Sequence, residues 1–220
     1  VQLPLYAEHI RDLRAGLGGP VSAEFIAQQY EITLVLWDQS LRHIAPDIAR
    51  LLLTLSDEQL SGFYAELEER NAELREEYSG QDPESRRKKQ DRSIIRAFRW
   101  FSGPLSRDQE AVVRSHSAEM HDLTEQWLGR RVAWQTALRE LLENRVGNAG
   151  FETRLRALLL DPNQFDSPEY RRLVAANRAI VFAMVADVLS SGSPKQRRHL
   201  DDRLSGLAAD FDQLAGAPAR

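Results

Sequence analysis

Apolar residues recur along this chain at intervals of three and four, the spacing that puts side chains on one face of an α-helix. Leu5, Ile10, Leu13 and Leu17 form the first such stripe, which ends at the breaker Gly18-Gly19-Pro20. A second helix runs from Ser22 to about Ile44. It is apolar around much of its circumference, through Phe25, Ile26, Tyr30, Ile32, Leu34, Val35, Leu36 and Trp37, as expected of a central helix. Ala45-Pro46-Asp47 predicts a kink or turn. Ile48, Leu51, Leu52, Leu53 and Leu55 then predict a brief helix. The next helix extends to Tyr78, apolar in its first half (Leu60, Phe63, Tyr64, Leu67) and densely charged from Glu68 to Glu77.

Past Ser79-Gly80-Gln81-Asp82-Pro83, a helix carries Ile94, Ile95, Phe98, Trp100 and Phe101 on its apolar side. The longest expected helix follows, Arg107 to about Val146, with Gly129 as its weakest point. Gly147 to Gly150 is a loop. Phe151 to Leu160 is a short helix stopped by Asp161-Pro162, and Tyr170 to Leu189 holds the most apolar stretch, Ala179 to Val185. A last helix reaches about Leu214, with Ala215 to Arg220 as a frayed tail. No alternating apolar and polar runs bounded by hairpin turns occur. The expected fold is therefore all-α, an irregular bundle of roughly six to eight helices with short loops. It forms one domain over 1–220, divisible at most into 1–103 and 104–220. No apolar run approaches the roughly 18 residues of a membrane span.

One short pattern organises this series. Leu55-Ser56-Asp57-Glu58-Gln59-Leu60 is echoed by Leu105-Ser106-Arg107-Asp108-Gln109 and, more weakly, by Gly192-Ser193-Pro194-Lys195-Gln196. The first N–H groups of a helix have no partner inside it. A serine at the N-cap accepts from the N–H three residues on, and a glutamine there reaches back to the N-cap N–H. Ser56 with Gln59, Ser106 with Gln109 and Ser193 with Gln196 all fit this capping box. Pro194 suits the first helical position, and Leu55 and Leu105 suit a hydrophobic staple. Val21-Ser22-Ala23-Glu24 is a degraded fourth copy with Phe25 in place of glutamine. Starts near 22, 56, 106 and 193 are too irregular for a solenoid repeat.

Charge adds two candidate surfaces. Arg86, Arg87, Lys88, Lys89, Arg92 and Arg96 are the one concentrated basic patch. Glu69, Arg70, Asn71, Glu73, Arg75, Glu76 and Tyr78 lie in the mixed, mainly acidic run before it. Both read first as solvated helix faces, with pairs such as Glu66–Arg70 at i,i+4 and the basic face answering the acidic one across a turn. The alternative is a contact with anionic headgroups, polysaccharide or an acidic client. The net charge of −4 argues against nucleic acid as the main partner. With 28% charged and 8% aromatic residues, the composition is that of a globular chain. With no cysteine there is no disulfide, thiol chemistry or thiolate metal site.

Catalytic signatures are missing. His116, His121 and Glu125 would lie near one helix face, but a zinc site needs three or four converging ligands. The paired Glu-x-x-His pattern of di-iron bundles, a phosphate loop and a nucleophile elbow do not occur. The expectation is a protein without cofactor or metal that is not an enzyme.

Two resemblances are carried by these residues. The Leu-Ser-x-x-Gln helix starts are similar to those of the small all-helical periplasmic chaperones of the Spy and CpxP kind. Over about Pro20 to Leu214 the chain resembles a bacterial lipoprotein family of unknown function, DUF6279. The matching blocks are the run from Glu69 to Tyr78, Ala45-Pro46-Asp47, Trp100 to Ser106, Arg154 to Pro162 and Ser167 to Tyr170. It departs from that family by lacking the lipid-attachment cysteine and by starting at Val1 without a methionine. The resemblance implies a periplasmic envelope protein, outer-membrane lipid-anchored in its full-length form. Its expected role is non-catalytic binding, chaperone-like toward partly folded envelope proteins. A mixed apolar and charged helical surface would hold such clients weakly. The alternative is a structural lipoprotein that binds one dedicated envelope partner or glycan.

Overall fold

The computed structural model of the chain describes residues 2–79 and 81–216; Gly80 and the last four residues of the expected frayed tail lie outside it. The described residues form nine α-helices and one 3-10 turn, with no strand. In order these are α1 Leu3–Gly16, α2 Ala23–Thr54, α3 Asp57–Ser79, α4 Pro83–Ser102, α5 Arg107–Glu119, α6 Thr124–Glu143, α7 Phe151–Leu160, the turn Pro162–Phe165, α8 Pro168–Ser190 and α9 Pro194–Gly216. The all-α expectation holds, and the helix count is slightly above the expected range.

Two boundaries differ from the periodicity reading, each for a physical reason. The helix expected over 107–146 is two helices. Met120 leaves the helical conformation (φ −71°, ψ 139°). The side-chain amide of Asn177 then holds both backbone groups of His121, accepting from its N–H at 2.8 Å and donating to its carbonyl at 2.9 Å. Asp122 Oδ1 accepts from the Thr124 N–H at 3.0 Å and opens α6. Gly129, the expected weak point, stays helical. In α2, by contrast, the helix runs through Pro46. A proline inside a helix removes one hydrogen bond and costs about 3 kcal/mol. Here the neighbouring Ala45 and Ala49 are almost fully buried, so close packing offsets that loss. Finally, α8 is long and apolar enough to cross a membrane by length and composition, contrary to the expectation that no run approaches that length. Only 17% of its most apolar 18-residue stretch is buried.

The helices assemble into two compact units that do not follow chain order. The first takes Val1–Trp37, Pro83–His121 and Ala175–Arg220; the second takes Asp38–Asp82 and Asp122–Val174. A cut after Gly103 would therefore separate α4 from α5, which belong to the same unit. In the first unit α1 packs along α9, with Tyr6 stacked on Phe211 at 5.5 Å and ion pairs from Arg11 to Asp212 and Arg14 to Asp201. A Cβ on Gly16 would come within 2.4 Å of the Phe25 ring, so a larger residue there would have to push that ring aside. The core of this unit is Ile95, Val113, Met184 and Val188, flanked by Ile94, Phe98, Leu105, Val112 and Met120.

The second unit is centred on α6. Leu138, Leu141 and Leu142 meet Phe151, Leu155 and Leu158 of α7, together with Ala49 and Leu60. Trp134 Nε1 donates to the Leu158 carbonyl at 3.1 Å. The guanidinium of Arg145 is buried just past the end of α6. It donates to the carbonyls of Leu142 and Leu55 and pairs with Asp57 at 2.7 Å, tying the end of α6 to the start of α3. Asp166, with its side chain 6% exposed, pairs with Arg130 Nε at 2.5 Å.

Candidate functional site

All three serine–glutamine pairs form complete capping boxes. Ser56 Oγ accepts from the Gln59 N–H at 3.2 Å while Gln59 Oε1 accepts from the Ser56 N–H at 2.8 Å. The same reciprocal bonds link Ser106 with Gln109 and Ser193 with Gln196. Ser22 and Ser167 make only the forward half, to the N–H groups of Phe25 and Tyr170. Leu55 packs on the cluster that contains Leu60, completing a staple. Ser56→Ala is expected to lower stability by about 0.5–2 kcal/mol in chemical denaturation, with no change in partner binding while the protein stays folded. Loss of binding at full foldedness would give Ser56 a role beyond the cap.

In the first unit, two of these boxes meet. Gln109 is buried, and its amide nitrogen donates to the Val188 carbonyl at 3.2 Å. Gln196 Nε2 donates to Gln109 Oε1 and to the Pro104 carbonyl, both at 2.8 Å. The starts of α5 and α9 are thus joined by their capping side chains, in a place where buried amides need partners. Gly103 makes the preceding turn at φ +82°, a left-handed conformation that favours glycine.

The basic residues lie on α4 of the first unit. Lys88, Arg92, Arg96 and Arg99 repeat at helical spacing on its outer side, with Lys89 and Trp100 beside them, and all are exposed. Arg87, near the helix start, is exposed too, whereas Arg86 is half-buried. Lys88 pairs with Glu84 at 2.7 Å, and Arg92 Nε donates to the Lys88 carbonyl. Arg99 bridges to Glu110 at 2.9 Å, and hydrogen bonds from Arg99 and Arg114 hold the Glu110 carboxyl below its usual pKa. At the end of this row Trp100 meets Phe101 edge-on at 4.4 Å, and Arg203 lies over the Trp100 ring at 4.0 Å. Trp100 and Phe101 are 48% and 41% exposed, so aromatics expected in the core stand at the surface.

The mixed block lies on α3 of the second unit. Glu69, Arg70, Glu73, Arg75 and Glu76 are exposed there, and Arg70 pairs with Glu73 rather than with Glu66. Asn71 corrects the surface reading. It is buried, donating to Gln135 Oε1 at 2.6 Å and accepting from Arg131 Nε at 2.9 Å, and it fastens α3 to α6. Tyr78 is half-buried against Trp127. Tyr64, which lines a small cavity of about 210 Å³ beside Asn71 and Arg139, has its hydroxyl pKa raised by burial.

His116 and His121 do not share a helix face with Glu125. His116 Nε2 lies 2.8 Å from Asp187 on α8, and His121 falls in the break between α5 and α6. No group of three metal-ligating side chains converges among the described residues.

The first unit also holds a half-open apolar cavity that periodicity alone does not reveal. Its volume is about 500 Å³, within the roughly 300–1,000 Å³ of small-molecule sites. Helices α1, α2, α4, α8 and α9 line it, through residues such as Leu13, Ile26, Phe98, Phe182, Val185 and Leu204. The signal available in sequence was the all-round apolarity of α2 and α8, which reads equally as a filled core. Polar lining comes from His9, Gln29 and Thr33. The Thr33 hydroxyl donates to the Gln29 carbonyl at 2.9 Å, so at 2.9 Å from His9 Nε2 it must accept, which fixes the Nε2–H tautomer.

Burial lowers the pKa of His9, with Asp12 opposing more weakly. In the unfolded chain a histidine takes its proton near pH 6.5, before the native one does. Stability is therefore full above that pH and falls as pH drops through it toward the lower native pKa. Urea denaturation at pH 7.5 and 5.5 should show this fall, and His9→Asn should reduce it. An unchanged pH dependence in that variant would remove His9 as its source.

A second cleft in this unit, of about 710 Å³, is lined by Arg14, Arg197, Arg198, Asp201 and Ser190. Leu17, Leu189, Leu200 and Leu204 line both this cleft and the apolar cavity. Arg14 meets both oxygens of Asp201, at 2.5 and 2.8 Å, and lowers the pKa of that carboxyl. Arg197 Nε donates to the Gly192 carbonyl at 3.0 Å.

Comparison with known proteins gives a family described as "Family of unknown function (DUF6279)", whose sequence pattern matches residues 1–171. No curated protein and no solved structure matches the chain.

Proposed function

We propose that the chain, which belongs to the DUF6279 family of unknown function, is a non-catalytic binding protein of the bacterial cell envelope. It holds partly folded protein chains weakly and is lipid-anchored in its full-length form. The observation that supports this most is the outer side of α4, where Lys88, Lys89, Arg92 and Arg96 run up to the exposed Trp100, with the exposed Phe101 next to it at the rim of the apolar cavity. A partly folded chain exposes apolar side chains and carries acidic ones. A surface offering aromatic area beside positive charge attracts both, with charge setting the encounter rate and apolar contact the residence time. Val35 and Trp37 on α2 are further exposed apolar side chains of the first unit. The capping boxes serve the scaffold and not the contact.

The test is light scattering of an aggregating unfolded protein with and without a stoichiometric amount of this one. Suppression is expected at low salt. The quadruple reversal of Lys88, Lys89, Arg92 and Arg96 to glutamate should weaken it several-fold, because these charges are exposed and act mainly through encounter. Absence of suppression at excess would end the general-client reading and leave a dedicated envelope partner or glycan, sought by pull-down from envelope extract.

A further inference from the structure

We infer that the first unit binds a single-chain anionic amphiphile, of the class of long-chain fatty acids. The alkyl chain occupies the apolar cavity and the carboxylate sits at Arg197 and Arg198 in the adjoining cleft. This stands on the cavity and does not rest on the client reading.

Three observations converge on it. The first is the mismatch between the composition and the burial of α8. A helix this apolar is normally covered by protein, yet only 17% of its most apolar stretch is buried. Its side chains Val181, Phe182, Val185 and Leu189 instead line the cavity. Their contact with water is the term that an alkyl chain would remove. The second is the shape of the space. The two cavities adjoin through Leu17, Leu189, Leu200 and Leu204, so a molecule anchored in the arginine cleft meets an apolar wall leading into the 500 Å³ cavity. An occupant must therefore be apolar along its length and polar at one end.

The third is charge. Of the three arginines in the cleft, Arg14 is taken by Asp201. Arg197 uses Nε on a carbonyl, and neither Arg197 nor Arg198 has a carboxylate partner among the described residues. Asp202, close enough to act on Arg14, offsets part of this charge, and the cleft keeps a smaller positive excess on planar groups whose geometry suits a carboxylate. A neutral or cationic head would leave that charge uncompensated.

The probe is cis-parinaric acid, a fluorescent long-chain fatty acid, used below its micelle concentration with the full chain. One saturable equivalent is expected. Ala97 lines the cavity from an exposed position on α4, so Ala97→Trp fills it without disturbing buried packing. It should weaken binding at least tenfold, and Val181→Phe, from α8, should do the same. Circular dichroism and thermal melting establish that each variant is folded. Arg197→Glu with Arg198→Glu should weaken the acid at least fivefold and leave the methyl ester of the same chain unchanged. Equal binding of acid and ester by the wild type would overturn the headgroup assignment. Undiminished binding by both cavity-filling variants would overturn the site itself and reduce the signal to partition onto exposed apolar surface. The aggregation assay with Val181→Phe separates the two proposals, because that variant fills the cavity from α8 and leaves Lys88, Lys89, Arg92, Arg96 and Trp100 of α4 unchanged, so client holding should survive it.

Discussion

Leu142→Ala is expected to lower the stability of the protein by about 2–5 kcal/mol, among the largest effects of any single truncation. Leu142 is fully buried at the centre of the second unit's cluster, with Phe151, Leu155 and Leu158 among its members. Those neighbours are fixed on regular helices and cannot collapse into the space left by the removed methyls. The loss therefore includes a cavity term in addition to the lost transfer energy. The Leu142 carbonyl that receives Arg145 is main chain and survives the substitution, so the effect isolates packing. In urea the midpoint should fall with little change in slope, because the surface exposed on unfolding is almost the same. Val146→Ala, only four residues on but 81% exposed, should change stability by no more than about 0.5 kcal/mol. Comparable losses at the two positions would mean that the second unit is not packed as described.

Gln109→Ala should follow, at about 2–4 kcal/mol, well above the cost of the same change at Gln59. Both glutamines close a capping box through their side-chain oxygen. Gln59 is exposed and does only that, so its loss is worth about one net hydrogen bond, roughly 0.5–1.5 kcal/mol. Gln109 is buried, and it also receives Gln196 Nε2 and serves the Val188 carbonyl. Its removal deletes the bonds to the Ser106 N–H, Gln196 Nε2 and the Val188 carbonyl together, each worth about 0.5–1.5 kcal/mol net, although Ser191 Oγ still serves the Val188 carbonyl and Gln196 keeps the Pro104 carbonyl. A double-mutant cycle between Gln109 and Gln196 should give a coupling of about 0.5–3 kcal/mol, since the two amides touch. Equal costs at Gln59 and Gln109, or no coupling to Gln196, would reduce the meeting of the boxes to an incidental contact.

The contrast between these two glutamines marks how far local sequence reaches. That Ser56, Ser106 and Ser193 start helices follows from interactions spanning three residues, and all three boxes form as the spacing implies. The same holds for Pro194 at the first position of α9 and for the stop of α7 before Pro162. The basic row on the outer side of α4 is likewise local, because its position is set by 3.6-residue periodicity alone. Asn71 shows the reverse. In sequence it is one polar residue in a charged run, and only the arrival of Gln135 and Arg131 from α6 makes it an internal fastener. The apolar cavity was illegible for a related reason. An apolar residue on a central helix satisfies the same pattern whether its neighbours fill the space or leave it open.

The all-helical class, the capped helix starts and the charge on α4 each depend on contacts a few residues apart and are therefore written in local sequence. Tertiary structure decided the rest. Asn177, fifty-six residues along the chain, holds His121 and divides what periodicity reads as one helix. Packing around Ala45 and Ala49 carries α2 through Pro46. The meeting of Gln109 with Gln196 and the space enclosed by five helices of the first unit come from the same source. These features depend on which distant segments come together, and local propensity and hydrophobic period carry no term for that choice.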